Sequence, residues 1–245
     1  MANPIKLKAV VSKIQSFGEG VYEVSLTPRG PVPRYKPGQF LHLTVDEYDP
    51  TGGFWPESRV FSIASAWGSA ELKIVYSVKG RYTRRMEEFL KAGTELWLKL
   101  PYGDFVIESA LSEGQAAVLV AGGTGVSPFL PFLENRMKDG TAKRDVRLFY
   151  GARKNAMLLA LNLIEQSAET GVKTTILVEE EEPICKTPLS GKRGRLDVGN
   201  IINECTSMNN PAFFLSGPPQ MIRSFKESMI VSGIDCHKII IDEWE

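Results

Sequence analysis

The run Val118-Leu-Val-Ala-Gly-Gly-Thr-Gly-Val-Ser-Pro-Phe-Leu-Pro-Phe-Leu-Glu134 constrains this chain more than any other stretch. Val118 to Ala121 form a short apolar run, which suits a parallel strand buried on both faces. Gly122, Gly123 and Gly125 follow, with Thr124 among them, and glycine lets the backbone turn sharply and approach a ligand with no Cβ in the way. Ser127-Pro128 is a helix-start pair, Ser as cap and Pro at the first helical position. The order strand, glycine turn, helix aims backbone N–H groups at whatever sits above the turn, a place that favours a pyrophosphate or another anion. The stretch is neither the six-residue dinucleotide fingerprint nor a P-loop, which requires Gly-Lys-Ser/Thr. Taken alone, a glycine turn serving only chain geometry also accounts for it.

Composition narrows the field. Lys and Arg total 29, as do Asp and Glu, so no net charge draws the chain to nucleic acid or an anionic membrane. Met1 to Val11 contain no apolar signal core, and no run approaches the roughly 20 apolar residues of a membrane span. A cytoplasmic protein without a membrane span is the expectation. Cys185, Cys205 and Cys236 are scattered, with no Cys-x-x-Cys, so neither a disulfide framework nor a zinc or iron–sulfur site is supported. His42 and His237 lack companion ligands in the sequence and read as ordinary polar residues, so no metal site is expected.

Residues 5 to 100 read mostly as strand: Val21 to Leu26, Gln39 to Val45, Arg59 to Ser65, Leu72 to Val78 and Thr94 to Leu100 are short β-branched and aromatic runs between Gly and Pro signals. Strands at this spacing predict an antiparallel barrel, interrupted by a helix from about Thr83 to Lys91 with Thr83 as its cap. From Ala116 the pattern changes. Strand-like runs at Val118 to Ala121, Val146 to Tyr150, Thr174 to Val178, Ala212 to Leu215 and Lys238 to Ile241 alternate with helical stretches near Pro128 to Lys138, Ala156 to Gln166, Val198 to Glu204 and Gln220 to Ser232. This alternation predicts a parallel sheet with helices on both faces. The polar segment Glu108 to Gln115 divides the two units, 1–110 and 111–245.

Seven motifs then fall in order along nearly the whole chain: Arg59-Val-Phe-Ser62, Lys79-Gly-Arg-Tyr-Thr-Arg-Arg-Met86, Pro101-Tyr-Gly-Asp-Phe105, Gly122-Gly-Thr-Gly125 with Pro128, Tyr150-Gly-Ala-Arg153, Ser216-Gly-Pro-Pro-Gln-Met221 and Ile241-Asp-Glu-Trp-Glu245. With this set the chain resembles the ferredoxin–NADP reductase superfamily, flavoenzymes that pass electrons between a nicotinamide nucleotide and a one-electron carrier. The resemblance implies a flavin-binding β-barrel over 1–110 and an NAD(P)-binding α/β domain over 111–245.

By the same resemblance, Arg59 would meet the flavin phosphates, Phe61 would stack on the isoalloxazine and Ser62 would lie near N5. Guanidinium suits phosphate and an aromatic face suits a flat ring. Phe61 stands where the family more often has Tyr, so the ring remains without its hydroxyl. Ile74 and Tyr76 match the strand that meets the flavin. Gly80, Tyr82 and Thr83 match the turn and helix start that hold its pyrophosphate, while a solvated basic face explains Arg81, Arg84 and Arg85 equally well. In the second domain Gly122, Gly123, Thr124, Gly125 and Pro128 would form the nucleotide pyrophosphate loop, with Gly151 and Arg153 near the nucleotide. Ser216, Gly217 and Pro218 would line the nicotinamide pocket, Ser216 replacing the family's Cys and thereby weakening nicotinamide alignment. Asp242 would take the acidic position near Ser62, and Trp244 would cover the flavin face.

NADPH users of the family commonly carry a Ser-Arg pair after the third parallel strand, where this chain has Glu179-Glu180. A carboxylate about 4 Å from a phosphate charge costs roughly 4 kcal/mol at surface-like dielectric, whereas Glu accepts hydrogen bonds from a ribose diol, so NADH is favoured over NADPH. Arg153, Lys154, Lys192 and Arg193 remain available to fold over the same place. FAD is the expected flavin and FMN the less common alternative. The resemblance implies hydride passing from NADH to the flavin, then single electrons passing to a separate carrier such as a ferredoxin or cytochrome, or to a small acceptor. No fused ferredoxin or iron–sulfur cluster is expected, because the cysteines are missing. The rival reading is a slow or non-catalytic flavin- or nucleotide-binding scaffold, sensor or electron-input subunit.

Overall fold

The computed structural model describes residues 4–139 and 144–242. The first unit is an antiparallel sheet of β1 (Ile5–Ser16), β2 (Val21–Pro28), β3 (Phe40–Thr44), β4 (Arg59–Ser62), β5 (Leu72–Ser77) and β6 (Glu95–Tyr102), ordered β4-β3-β6-β1-β2-β5. The sheet curls until its ends meet: beyond β4, Ala64 donates its N–H to the Lys73 carbonyl of β5 at 2.8 Å. Closure of this kind removes the unpaired edges that an open sheet exposes. Leu7, Ala9 and Val11 of β1 enter the interior with Val24, Leu41, Leu43, Ile74 and Leu98. β1 lies ahead of the strand signals that begin at Val21; its inward residues Leu7, Ala9 and Val11 alternate with Lys8 and Val10.

A single helix, α1 (Arg81–Phe89), plugs this unit with Tyr82 and Met86. It starts two residues ahead of the predicted cap. Thr83 lies inside the first turn and reaches back, its Oγ1 accepting from the N–H groups of Lys79 at 2.9 Å and Gly80 at 3.1 Å. The Tyr82 hydroxyl accepts the Val45 N–H and donates toward the carbonyls of Leu43 and Glu57, all between 3.1 and 3.2 Å.

The second unit is a parallel sheet of β7 (Ala117–Gly122), β8 (Val146–Ala152), β9 (Lys173–Val178), β10 (Ser190–Arg193), β11 (Ala212–Ser216) and β12 (Ile239–Ile241), ordered β10-β9-β8-β7-β11-β12. Central β7 is buried throughout. Its alternate residues serve two cores: Leu119 and Ala121 meet α2 (Leu130–Asp139) and α3 (Leu161–Glu169), while Val118 and Val120 meet α4 (Val198–Cys205) and α5 (Pro219–Val231). That division is the two-faced burial expected of a parallel strand.

Two further local readings differ from the structure, and one strand lies outside the predicted runs. Ser127 is not a cap, because a 3-10 turn from Gly123 to Phe129 precedes α2 and buries Ser127 and Pro128. The predicted helix from Ala156 is split into a 3-10 turn (Asn155–Met157) and α3, with Ala160 at φ +52° between them. β10, an exposed Ser-Gly-Lys-Arg, is made a strand by parallel pairing with β9 rather than by its own composition.

Val21, Ala64 and Val75 of the first unit join the core of the second around Phe129 and Leu133, and the Ala66 N–H donates to the Glu134 carboxylate of α2 at 2.5 Å. The two units are therefore held together by apolar contact. Replacing Tyr82→Phe strands the buried Val45 N–H, and is expected to lower stability by about 1–3 kcal/mol, read as a reduced urea midpoint with no change in the slope of the transition.

Candidate functional site

A cleft of about 980 Å³ opens between the two sheets. The first unit contributes Val60, Phe61 and Ser62 of β4, Val75, Tyr76 and Ser77 of β5, Lys79 beyond it, and Glu19 and Val21 from the turn joining β1 and β2. Phe61 and Tyr76 face one another edge to face with ring centroids 6.2 Å apart, and Tyr76 stacks on Tyr22 at 5.3 Å. Phe61 and Tyr76 form an aromatic wall on which a planar heteroaromatic group can pack.

The opposite wall is built from two loops that cross. One follows β7 (Gly122 to Gly125), and the other follows β11 (Ser216 to Pro219). A Cβ on Gly125 would overlap the Ser216 carbonyl, and one on Gly122 would lie 2.7 Å from Met221 Sδ. Gly217, at φ +153°, would put its own Cβ 3.0 Å from the Gly122 N. Gly125 and Gly217 are thus required by backbone lying on backbone, and Gly122 by the Met221 and Pro218 side chains packed on it. Gly123, at φ +54°, differs: a Cβ there would meet nothing within 4 Å, and the residue turns the chain freely toward the cleft.

At the junction of these loops the Ser216 hydroxyl donates to Asp242 Oδ2 at 2.9 Å. Asp242 is 8% exposed and its Oδ1 has no hydrogen-bond partner among the described residues, although it borders the cleft. Burial raises the Asp242 carboxyl from 3.8 to about 7, partly opposed by the Ser216 hydrogen bond. Ser62 lines the same cleft from β4, but the hydrogen-bond partner of Asp242 is Ser216.

Of the residues singled out in the sequence, Phe61, Ser62, Tyr76, Gly122, Gly123, Thr124, Gly125, Arg153, Ser216, Gly217, Pro218 and Asp242 converge on this cleft. Others do not reach its wall. Ile74 is fully buried in the barrel core, and Tyr82 is held by three backbone groups. Arg59 lies 4.6 Å over the Tyr82 ring and pairs with Glu57 at 2.9 Å. Gly80 and Thr83 shape the start of α1, Pro128 is buried in the 3-10 turn, and Gly151 makes room for Leu196. Glu179 pairs with Arg195 at 2.8 Å. Trp244 lies outside the described residues. Sequence reasoning passed over Glu19, Met157, Ile222 and Arg223. For Arg223 the signal was available, since it stands in the first turns of α5 beside a predicted pocket loop.

Among the described residues one trio of metal-type side chains converges, Asp235, Cys236 and His237, with ligand atoms within 4.8 Å. It is an exposed surface turn in which Asp235 accepts the His237 N–H at 2.9 Å. No described helix is long and apolar enough to cross a membrane.

Comparison with known proteins shows what this arrangement is similar to. Residues 119–227 match the oxidoreductase NAD-binding domain. The xylene/toluene monooxygenase electron transfer component XylA of Pseudomonas putida is 26% identical over 98% of this chain and 66% of its own length. The chain is similar to the oxidoreductases of the ferredoxin–NADP reductase superfamily. The same fold recurs in the cytochrome P450 reductase GcoB of Amycolatopsis, with TM-score 0.79 at 21% identity over 98% of this chain and 70% of that one. It recurs also in the flavohem-like FAD/NAD-binding domain of nitric oxide dioxygenase from Vibrio cholerae, with TM-score 0.74 at 20% identity over 96% and 97%. The chain thus spans less than two thirds of the length of most of the curated relatives it matches, 66% of XylA and 62% of the propane 2-monooxygenase reductase component of Rhodococcus jostii, and nearly all of that solved domain.

The buried carboxyl generates a pH prediction. Because its folded pKa is raised, Asp242 contributes full stability below about pH 4, and that contribution is lost as pH rises through about 7. Asp242→Asn is expected to flatten this part of the stability profile, which amounts to a few kcal/mol. Urea midpoints at pH 4.5 and 7.5 measure it; an unchanged slope with pH in the variant would contradict the assignment.

Proposed function

We propose that the chain is a flavoprotein oxidoreductase that takes reducing equivalents from NADH and passes single electrons to a separate carrier protein or small acceptor, with FAD as the flavin. In this reading residues 1–110 hold the flavin and residues 111–245 the nucleotide. The observation that carries it is the shared cleft, in which the aromatic wall of Phe61 and Tyr76 faces the crossed glycine loops and the Ser216–Asp242 pair.

The residues present suit both groups. An isoalloxazine fits a wall of two aromatic rings beside the Ser62 hydroxyl, and the unpartnered Asp242 Oδ1 supplies a polar atom at the facing wall. When bound, the flavin supplies hydride acceptance and one-electron donation, chemistry that no side chain offers. The chain supplies orientation. Phe61 fixes the plane of the ring, while Gly123 and Gly125 keep the nucleotide loop low enough for close approach. Lys79 and Arg223, which border the cleft and form no ion pair among the described residues, are free to meet phosphate. Asp242, protonated below about pH 7, holds the Ser216 hydroxyl against the nicotinamide side of the cleft. Ser216 and Asp242 are positioning residues here, since a misplacement of about 1 Å costs on the order of a hundredfold in rate.

The preference for NADH rests on Glu179 and Glu180. They follow β9 directly and run beside the end of β8, with the Glu179 and Glu180 N–H groups donating to the Ala152 and Arg153 carbonyls at 3.1 Å. Carboxylates there accept from a ribose diol and oppose a 2′-phosphate.

The decisive measurement is the visible spectrum of the purified protein under anaerobic conditions, before and after NADH and, separately, NADPH. A yellow protein bleached faster by NADH than by NADPH is expected; a yellow protein that neither bleaches would replace the enzyme reading with the scaffold. The Glu179→Ser/Glu180→Arg variant is expected to move the NADH to NADPH rate ratio toward NADPH by about tenfold or more. An unchanged ratio would remove the glutamates from the explanation.

A further inference from the structure

Glu19 occupies an unusual backbone position. It sits at φ +48° between Gly18 at φ +81° and Gly20 at φ +72°, in the tight turn joining β1 and β2. Left-handed backbone costs a residue with a Cβ on the order of 1 kcal/mol, and a third glycine would avoid that cost. The turn is nonetheless firmly held. The Val21 N–H donates to the Gly18 carbonyl at 3.0 Å, the Val78 N–H donates to the Gly20 carbonyl at 2.8 Å, and Phe17 packs against the core of the second unit. The result is a carboxylate carried by the first unit and delivered to the nucleotide end of the second.

Its partners there are Arg153 and Lys154, the two residues after β8. Glu19 forms an ion pair with Arg153 and accepts from Lys154 Nζ at 2.7 Å. Glu180 approaches the same two cations, 3.6 Å from Arg153 and 3.7 Å from Lys154. Two carboxylates and two cations thus close into a neutral square at the rim of the cleft, which Glu19 and Arg153 both border. Lys79 and Arg223, by contrast, form no ion pair among the described residues. Positive charge is left free in one part of the cleft and cancelled in another.

We infer that Glu19 is a nucleotide-selectivity residue supplied by the flavin-side unit: by neutralising Arg153 and Lys154 it denies a 2′-phosphate the cations that would otherwise bind it. This rests on the nicotinamide-nucleotide reading above. A 2′-phosphate must displace both carboxylates and then lie beside them, whereas a 2′-hydroxyl loses nothing by their presence. All four side chains are between 37% and 49% exposed, so the square is open to competition by a bound anion and to screening by salt.

The test compares two probes that differ at the 2′ position, 2′,5′-ADP and 5′-AMP, by calorimetric titration of the full chain and of Glu19→Gln. Glutamine keeps the side-chain length and the backbone strain, and removes only the charge. The variant is expected to bind 2′,5′-ADP about fivefold more tightly at low salt, with 5′-AMP unchanged and the gain shrinking as salt is raised. Glu19→Gln/Glu180→Gln is expected to add to it. Equal changes for both probes, or no change for 2′,5′-ADP while 5′-AMP still binds, would overturn the role of Glu19 and leave the nucleotide reading standing. Failure of the unaltered chain to bind 5′-AMP would overturn the nucleotide reading and this inference together.

Discussion

The crossing of the loops after β7 and β11 sets the geometry of everything around the cleft. Backbone passes over backbone at Gly125 and Ser216 with no room for a Cβ, so the ends of two neighbouring parallel strands are pinned to one another rather than merely adjacent. The Ser216 hydroxyl is carried by this crossing, and the Asp242 N–H donates to the Leu215 carbonyl at 2.9 Å, which ties the segment after β12 to the same point. Three strand ends therefore meet as one rigid floor. A ligand placed on it meets preformed backbone, and a site that is already ordered loses little entropy on binding.

The opposite wall depends on a different kind of contact. Phe61 and Tyr76 are placed by strand pairing, Phe61 opposite Leu41 and Tyr76 opposite Tyr22, so their faces follow the register of the barrel. What fixes the distance between the walls is the apolar seam of Val21, Ala64 and Val75 against the α2 side of the second unit. The seam is non-directional, whereas the Ala66 to Glu134 hydrogen bond fixes orientation. Packing holds the units together beside the cleft, which Glu19 and Arg153 border as partly exposed charges.

Local periodicity made most of the fold legible. Leu72 to Val78 and Val118 to Ala121 stand out because their burial patterns are complete within a few residues. β10 did not, because a Ser-Gly-Lys-Arg segment becomes a strand only when β9 is beside it. Thr83 was legible as a helix-start residue but not as one that works from inside the turn, a distinction of one φ/ψ well. The glycines of the site were visible, yet the reason for Gly122 and Gly125 lies about ninety residues away in the β11 loop. Glu19 was illegible for the same cause. Between two glycines it reads as a turn, and its partners Arg153 and Lys154 belong to the other unit.

The cleft separates two ways of using charge. At its floor a single carboxyl is buried with one hydrogen bond, and desolvation there is large enough to hold Asp242 neutral into the physiological range. Such a group stays where packing has put it, because ionising it in place is costlier than keeping its proton. At the rim, four side chains pair in water, where each contact contributes at most about 1 kcal/mol. Those pairs can be exchanged for a ligand's own charges without unfolding anything. In the proposed function, rigidity is concentrated where the nicotinamide and flavin rings would be aligned. Exchangeable charge lies where one nucleotide would be told from another, and that discrimination would require only the difference between a phosphate and a hydroxyl.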